Sequence, residues 1–378
     1  MDQEIPALSI RDANDLDRFQ SNGTTAGHSI YRPFGTLRFA LALLVLVQHG
    51  LVLLAWENRN FFYNMELGIL SVFTFFAISG FIVAEANATF YADRPYAFLA
   101  NRVLRLVPPY LAALILVVIV EGAFYLMGRP VSLDAPLTIS PISPRALLSG
   151  VLDIVPGFQP KYLLKQDFSP VPFAWTLRIE FLFYILAFVT YLAMMKLRGS
   201  MGRAIPYVML GIGYALFGVF LRRNGHVPEQ LGLIPFFLFG LGVFFVWQKP
   251  NRFTFSHLVV AAVCVLLALP HIKERGHPVL AYQLPVLIVL LSSFTVLAFV
   301  RRVPERFKAL DKRLGELSYP LYINHGTILL LLLGVTGGSS FVAYAFAIPL
   351  SIGLAAIMNK IVETPLRGIR DRLRGRSL

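Results

Sequence analysis

Residues 36–56 read TLRFALALLVLVQHGLVLLAW. About 20 apolar residues in helical geometry cross the roughly 30 Å hydrocarbon core of a bilayer, so this stretch predicts a transmembrane helix. Further runs of the same kind fall near 66–88, 103–127, 173–195, 204–221, 231–247, 255–270, 280–300, 316–335 and 340–360. They are continuously apolar rather than alternating, which predicts helices and not a barrel. The expectation is an all-α, polytopic integral membrane helix bundle with about ten transmembrane helices, the seventh being the shortest. Segment 146–155 (ALLSGVLDIV) is too short to cross and is expected to lie at the interface or re-enter.

Composition agrees. Hydrophobic residues make up 56% of the 378 and charged residues only 15%, against about 25% charged in an ordinary soluble chain. That excludes soluble-enzyme, collagen-like and disordered classes. Cys264 is the single cysteine, which leaves no intramolecular disulfide framework and no cysteine-cluster metal site, and it reads as a small buried hydrophobe. The net charge of +13 is a matter of location. With the N-terminus inside, the inner segments carry 23 lysines and arginines and the outer ones 9, while Arg38 and Arg178 sit within spans. The positive-inside rule therefore places both termini in the cytoplasm. No soluble basic domain is left to bind nucleic acid, and the terminal RGIRDRLRGR gives an added pull toward anionic membrane lipid.

Residues 1–31 are expected to form a disordered cytoplasmic tail, 32–366 one transmembrane domain, and 367–378 a basic cytoplasmic tail. The outer segment 128–172, rich in proline, has the length of a lid or vestibule.

Ionisable groups at mid-membrane are costly and so mark candidate sites. Arg38 and His49 stand as Arg-x10-His on the first span. They are about 16 Å apart along the axis and within about 20° of one face, a cation near the cytoplasmic mouth and an imidazole beyond the midplane. Arg102 and Arg105 are i, i+3 neighbours at the inner end of the third span, and forked guanidiniums suit a phosphorylated anion. Each also fits a plain reading: snorkelling or positive-inside anchoring for the arginines, a satisfied interior position for the histidine. Pro108 and Pro109 are expected to disrupt the helix just beyond.

Glu180 lies about 10 Å below the outer surface, at a depth similar to His49, with Tyr184 one turn on and Glu121 nearly level. A histidine and carboxylates in one layer make a general-base pair. The plain reading is an ion pair of Arg178 with either carboxylate. Ser79 and Gly80 read as helix packing. The ninth span opens with Ser318, Tyr319, Tyr322, Asn324 and His325, with Pro320 in its first turn and His325 a second candidate imidazole. His28, His226, His257, His271 and His277 read as solvated or interfacial. Neither a Walker-type phosphate loop, nor metal-ligand histidine spacing, nor a His-x4-Asp element occurs.

Six blocks in order resemble the membrane-bound acyltransferase 3 family: RPFGTLRFALALLVLVQHG, LGILSVFTFFAISGFIV, YAFLANRVLRLVPPY, FAWTLRIEFLFYI, LGELSYPLYINHG and VETPLRG. The resemblance spans roughly residues 32–370. It implies transfer of an acyl group, usually acetyl from cytoplasmic acetyl-CoA, to a hydroxyl of a bacterial surface carbohydrate such as O-antigen or exopolysaccharide. It also implies a multi-pass protein of the bacterial inner membrane. The family's Arg-x10-His falls on Arg38 and His49, and its Arg-x-x-Arg on Arg102 and Arg105. Its Trp…Glu…Phe-Tyr block falls on Trp175, Glu180, Phe183 and Tyr184, and its late block on Ser318, Tyr319, Tyr322 and His325.

The expected mechanism has acyl-CoA held by Arg38, Arg102 and Arg105, with no metal. His49 then acts as base or as acyl carrier, Glu180 orients it, and Tyr184, Tyr322 or His325 donates to the oxyanion. Some members carry an extracytoplasmic esterase-like domain, which is not expected here, so the acceptor is expected in the membrane domain or on a separate extracytoplasmic partner. A secondary transporter or flippase of an anionic or lipid-linked substrate is the alternative; another membrane acyltransferase type centred on His325 is a third.

Overall fold

Leucine, valine and phenylalanine runs form long helices in the computed structural model, which describes residues 31–54, 65–133, 140–165, 169–197, 199–223, 229–271, 273–274, 277–278, 283–300, 302–337 and 340–375. In chain order the helices are α1 (Phe34–Gly50), α2 (Leu67–Thr89), α3 (Pro95–Leu126), α4 (Pro144–Leu152), α5 (Lys161–Leu164), α6 (Ala174–Lys196), α7 (Ser200–Arg222) and α8 (Ile234–Gln248). There follow α9 (Arg252–Ala268), α10 (Leu284–Phe299), α11 (Glu305–Thr336), α12 (Phe341–Met358) and α13 (Thr364–Leu373). A 3-10 turn, Leu51–Leu54, extends α1, and a π-helical turn, Asn359–Glu363, joins α12 to α13. A two-residue antiparallel pairing sets Lys273–Glu274 against His277–Pro278.

Among the described residues nine helical segments have the length and apolar character to cross a membrane. The expected span missing from these nine is the eighth, 280–300, which is α10, and it is this one, not the seventh, that is short, at 16 residues. The seventh reaches 20 residues because a 3-10 turn carries α9 on to His271. The protein is a polytopic helical membrane protein. The expected tail 1–31 lies outside the described residues except for Tyr31.

Two glycine crossings set the core. At α1–α11, a Cβ on Gly35 would stand 1.9 Å from Asp311 O, and one on Gly315 2.8 Å from Gly35 Cα. Only glycine lets the backbones approach this closely. Asp311 then caps α1 from across the crossing: its carboxylate accepts from Gly35 N (3.1 Å), Thr36 N (2.7 Å), Thr36 Oγ1 (2.8 Å) and Tyr31 OH (2.6 Å). An acidic side chain at a helix N-terminus satisfies orphan N–H groups and the helix dipole together. At α2–α8, Gly80 meets Phe237 O and Gly240 meets Ala77 O at 2.3 and 1.9 Å from a notional Cβ. Stacked Phe73–Phe236 and Phe76–Phe237 rings flank that contact.

Three local expectations change. Pro108 and Pro109 do not break α3, which runs unbroken from Pro95 to Leu126. The prolines withdraw the i+4 donors of Leu104 O and Arg105 O, a loss tolerated in a membrane helix where a neighbouring helix packs against the turn; α11 does so here, its Tyr319 hydroxyl donating to the adjacent Leu106 O at 3.0 Å. Pro320 is not in a first turn, because α11 starts fifteen positions before it, at Glu305. His257 is neither solvated nor in a loop: it is buried on α9, with Nδ1 3.0 Å from Tyr214 OH and Nε2 3.3 Å from Leu238 O. It shares the inward face with Ala261 and Val265 at helical spacing. Helix α13 takes in residues 367–373 of the expected basic tail and is laid against α3.

Candidate active site

The polar residues of α1, α2, α3, α6 and α11 meet around one internal cavity of ≈ 70 Å³, room for a few water molecules. Arg38, Arg102 and Arg105 line it together with Glu180, Tyr184, Ser79, Thr176, Ser318, Tyr319 and Tyr322. Helical periodicity explains the set. On α6, Thr176, Glu180 and Tyr184 recur every fourth residue and share a face, which the packing of α6 against α3 and α2 turns inward.

The charges at this cavity are unevenly matched. Among the described residues no hydrogen bond or salt bridge engages the guanidinium of Arg38, Arg102 or Arg105. Arg102 is only 5% exposed, its Nε is buried without a hydrogen-bond partner, and its guanidinium lies over the rings of Tyr184 (5.0 Å) and Phe98 (5.3 Å). Glu180 is the carboxylate on the wall. It accepts from Ser79 Oγ at 2.9 Å and from Tyr184 OH. Three arginines thus line the cavity with one carboxylate, an excess of positive charge suited to an anion.

Beyond Tyr322 stands a second cluster. His49 Nδ1 lies 2.9 Å from His325 Nε2, and His325 Nδ1 lies 2.6 Å from Tyr322 O. Phe173 stacks on both imidazoles, with centroids 4.5 Å from His49 and 4.2 Å from His325. The partners fix the tautomers. A carbonyl only accepts, so His325 Nδ1 carries the proton. With both rings neutral, His325 Nε2 must accept from His49 Nδ1–H, which leaves His49 Nε2 as the unprotonated, basic nitrogen. Tyr322 joins the two clusters: its side chain lines the cavity, its hydroxyl is 2.8 Å from Thr176 Oγ1, and its carbonyl receives the His325 proton.

The structure thus gathers Arg38, Arg102, Arg105, Glu180, Tyr184 and Tyr322 at one cavity and sets His49 with His325 behind it. Glu180 is not the partner of His49 expected from their matched depth; its two hydrogen bonds go to Ser79 and Tyr184, and the imidazole of His325 takes the place beside His49. Trp175 and Glu121 are not among the cavity-lining residues. Trp175 packs against the main core, and Glu121 is buried on α3. Arg178 pairs with neither Glu121 nor Glu180. It is bound to Asp153, just past α4, through the carboxylate and through Asp153 O at 2.8 Å. Ser169 also donates to this carboxylate, at 2.5 Å. Burial pushes the Asp153 carboxyl above its usual range, against the opposing pull of Ser169 and Arg178. Tyr110 OH reaches Gly150 O, also at 2.5 Å, so the short α4 is pinned to α3 and α6.

Sequence reasoning missed Thr176 and Phe173 and gave Ser79 only a packing role. The signal for Thr176 was its position one turn before Glu180. Phe173 carried none, since its role depends on two distant histidines.

A family model described as an acyltransferase domain matches residues 34–360. The chain belongs to acyltransferase family 3. No curated protein and no solved structure matches it. The family match spans the cavity and both histidines, so this membrane acyltransferase carries its polar core inside the shared domain.

Proposed function

We propose that this acyltransferase moves a short acyl group, acetyl being the best fit, from cytoplasmic acyl-CoA to a hydroxyl of a carbohydrate acceptor at the bacterial inner membrane. The observation that carries the reading is the trio Arg38, Arg102 and Arg105 on one cavity wall without an ion pair. Buried cations are retained where a ligand supplies the anion, and the donor's phosphates are anions of that kind. The pantetheine arm passes toward Tyr322 and delivers the thioester near His49.

His49 Nε2 takes the proton of the acceptor hydroxyl. The hydroxyl oxygen forms the new ester bond to the acyl carbon, and the C–S bond breaks with its electron pair leaving on sulfur. The resulting imidazolium keeps its Nδ1–H directed at His325 Nε2, which disperses the charge. His49 then returns the proton to the CoA thiolate. Tyr322 is the hydroxyl nearest the two histidines on the path of the thioester oxygen, and its proton turns from Thr176 Oγ1 to that oxygen as charge develops, whereas the Tyr184 proton stays on Glu180.

The test is donor dependence. Purified protein should release CoA only when a hydroxyl acceptor is present, and Arg102→Ala with Arg105→Ala should raise KM for acyl-CoA at least tenfold. Substrate flux across a vesicle membrane without CoA would replace this reading with a transporter, and an unchanged KM would remove the arginines from donor binding.

A further inference from the structure

The VETPLRG segment has no part in the chemistry above, but its structure is unusual. Chain direction passes from α12 to α13 through the π-helical turn Asn359–Glu363, a rare geometry that concentrates at functional sites. Helix α13 then docks on α3, where Asn101 Nδ2 donates to Arg370 O at 2.8 Å, next to Arg102 and one turn before Arg105. Glu363 thereby falls among Arg105, Arg370, Arg38 and Arg367, its electrostatic neighbours.

The contact it makes there is poor. Glu363 and Arg370 approach only to 3.7 Å, although both side chains are largely buried. Among the described residues Glu363 Oε1, Arg370 Nε and Asn359 Oδ1 are buried atoms without a hydrogen-bond partner. A buried ion pair built for stability closes to hydrogen-bonding distance and satisfies its remaining donors; this one does neither. The charge count is also uneven. Arg367 is matched by Glu316 at 3.0 Å, which leaves Arg38, Arg102, Arg105 and Arg370 facing Glu180 and Glu363.

We propose that Glu363 holds the place of a donor phosphate in the empty protein, and that Arg370, together with Arg105, binds that phosphate when the donor enters. The inference rests on the acyl-CoA reading and extends it: the donor site continues past the cavity onto the π-turn and α13. The ligand class is a phosphorylated thioester, and the group recognised is a phosphate. On binding, Arg370 exchanges a loose carboxylate for a forked phosphate contact, and the displaced Glu363 opposes the phosphate by like-charge repulsion.

Calorimetric titration of the purified full chain with CoA, and separately with phosphate-free pantetheine, tests this. Glu363→Gln should tighten CoA binding several-fold. Arg370→Ala should weaken it at least tenfold, with Arg370→Lys in between. Pantetheine affinity should stay the same in all of them. Unchanged CoA affinity in Glu363→Gln and Arg370→Lys, at wild-type melting temperature, would make the pair a structural clasp and overturn the inference. An equal change for pantetheine would overturn it too, by removing the phosphate from the effect. Failure of the wild-type protein to bind CoA would instead refute the acyl-CoA reading, and this inference with it. Wild-type binding with unaffected variants refutes the inference alone.

Discussion

In the proposed mechanism His325 acts through another residue. Its Nδ1 is committed to Tyr322 O and its Nε2 to His49, so it selects which nitrogen of His49 is basic. Replacing it with asparagine removes the aromatic acceptor while leaving the fold's hydrogen-bonding capacity. The expected outcome is a fall in kcat of about 10- to 100-fold with KM for the donor unchanged, and a displaced pH profile of kcat/KM. A purely structural role would leave the pH profile in place. The residue scale is also where sequence reading ended. Arg38 with His49, and Glu180 with Tyr184, were legible because each pair rides on one helix and 3.6-residue periodicity fixes its face. His49 with His325 was not legible: 276 positions separate them, and only the α1–α11 crossing joins them. Matched depth suggested Glu180 in that place, but depth does not specify azimuth, and Ser79 and Tyr184 take the carboxylate instead.

That crossing is the critical element-level feature. It carries Arg38 and His49 on α1 and His325 on α11, and it closes only because Gly35 and Gly315 have no side chains. Gly35→Ala should therefore cost about 1–3 kcal/mol through forced separation and abolish activity by parting the two imidazoles. Asp311→Asn, which weakens the cap of α1, should cost about 1 kcal/mol and reduce activity less. Thermal unfolding in detergent reads both; an unchanged midpoint for Gly35→Ala would show that the helices can separate without penalty. At this scale the helices themselves were readable from apolar length alone. Their continuity was not. The passage of α3 through Pro108 and Pro109 and the early start of α11 depend on neighbours, and a run of sequence does not reveal what packs beside it.

For the whole molecule, the distribution of lysine and arginine predicts both termini on the cytoplasmic side, and the even number of crossings this needs predicts that the short α10 is a span. Reporter fusions at the C-terminus and in the 301–304 linker should both read cytoplasmic, and one in the 336–340 linker should read external. A cytoplasmic signal from the last would break the assignment and put the arginine end of the cavity on the wrong side for a cytosolic donor. Fold class was legible at this scale because hydrocarbon thickness imposes it on any chain this apolar. The location of the cavity was not, since it arises from five helices contributing a few polar residues each.

The central claim is that anion-gripping arginines and a basic imidazole within one membrane domain act in a single acyl transfer. Its most direct test is acyl transfer by protein reconstituted in sealed vesicles, with labelled acetyl-CoA on the side of Arg102 and Arg105 and the hydroxyl acceptor on the other. Wild-type protein should label the acceptor, and His49→Ala, bound to CoA with wild-type affinity, should be slower by at least about 100-fold. Labelling by His49→Ala at the wild-type rate would contradict the account.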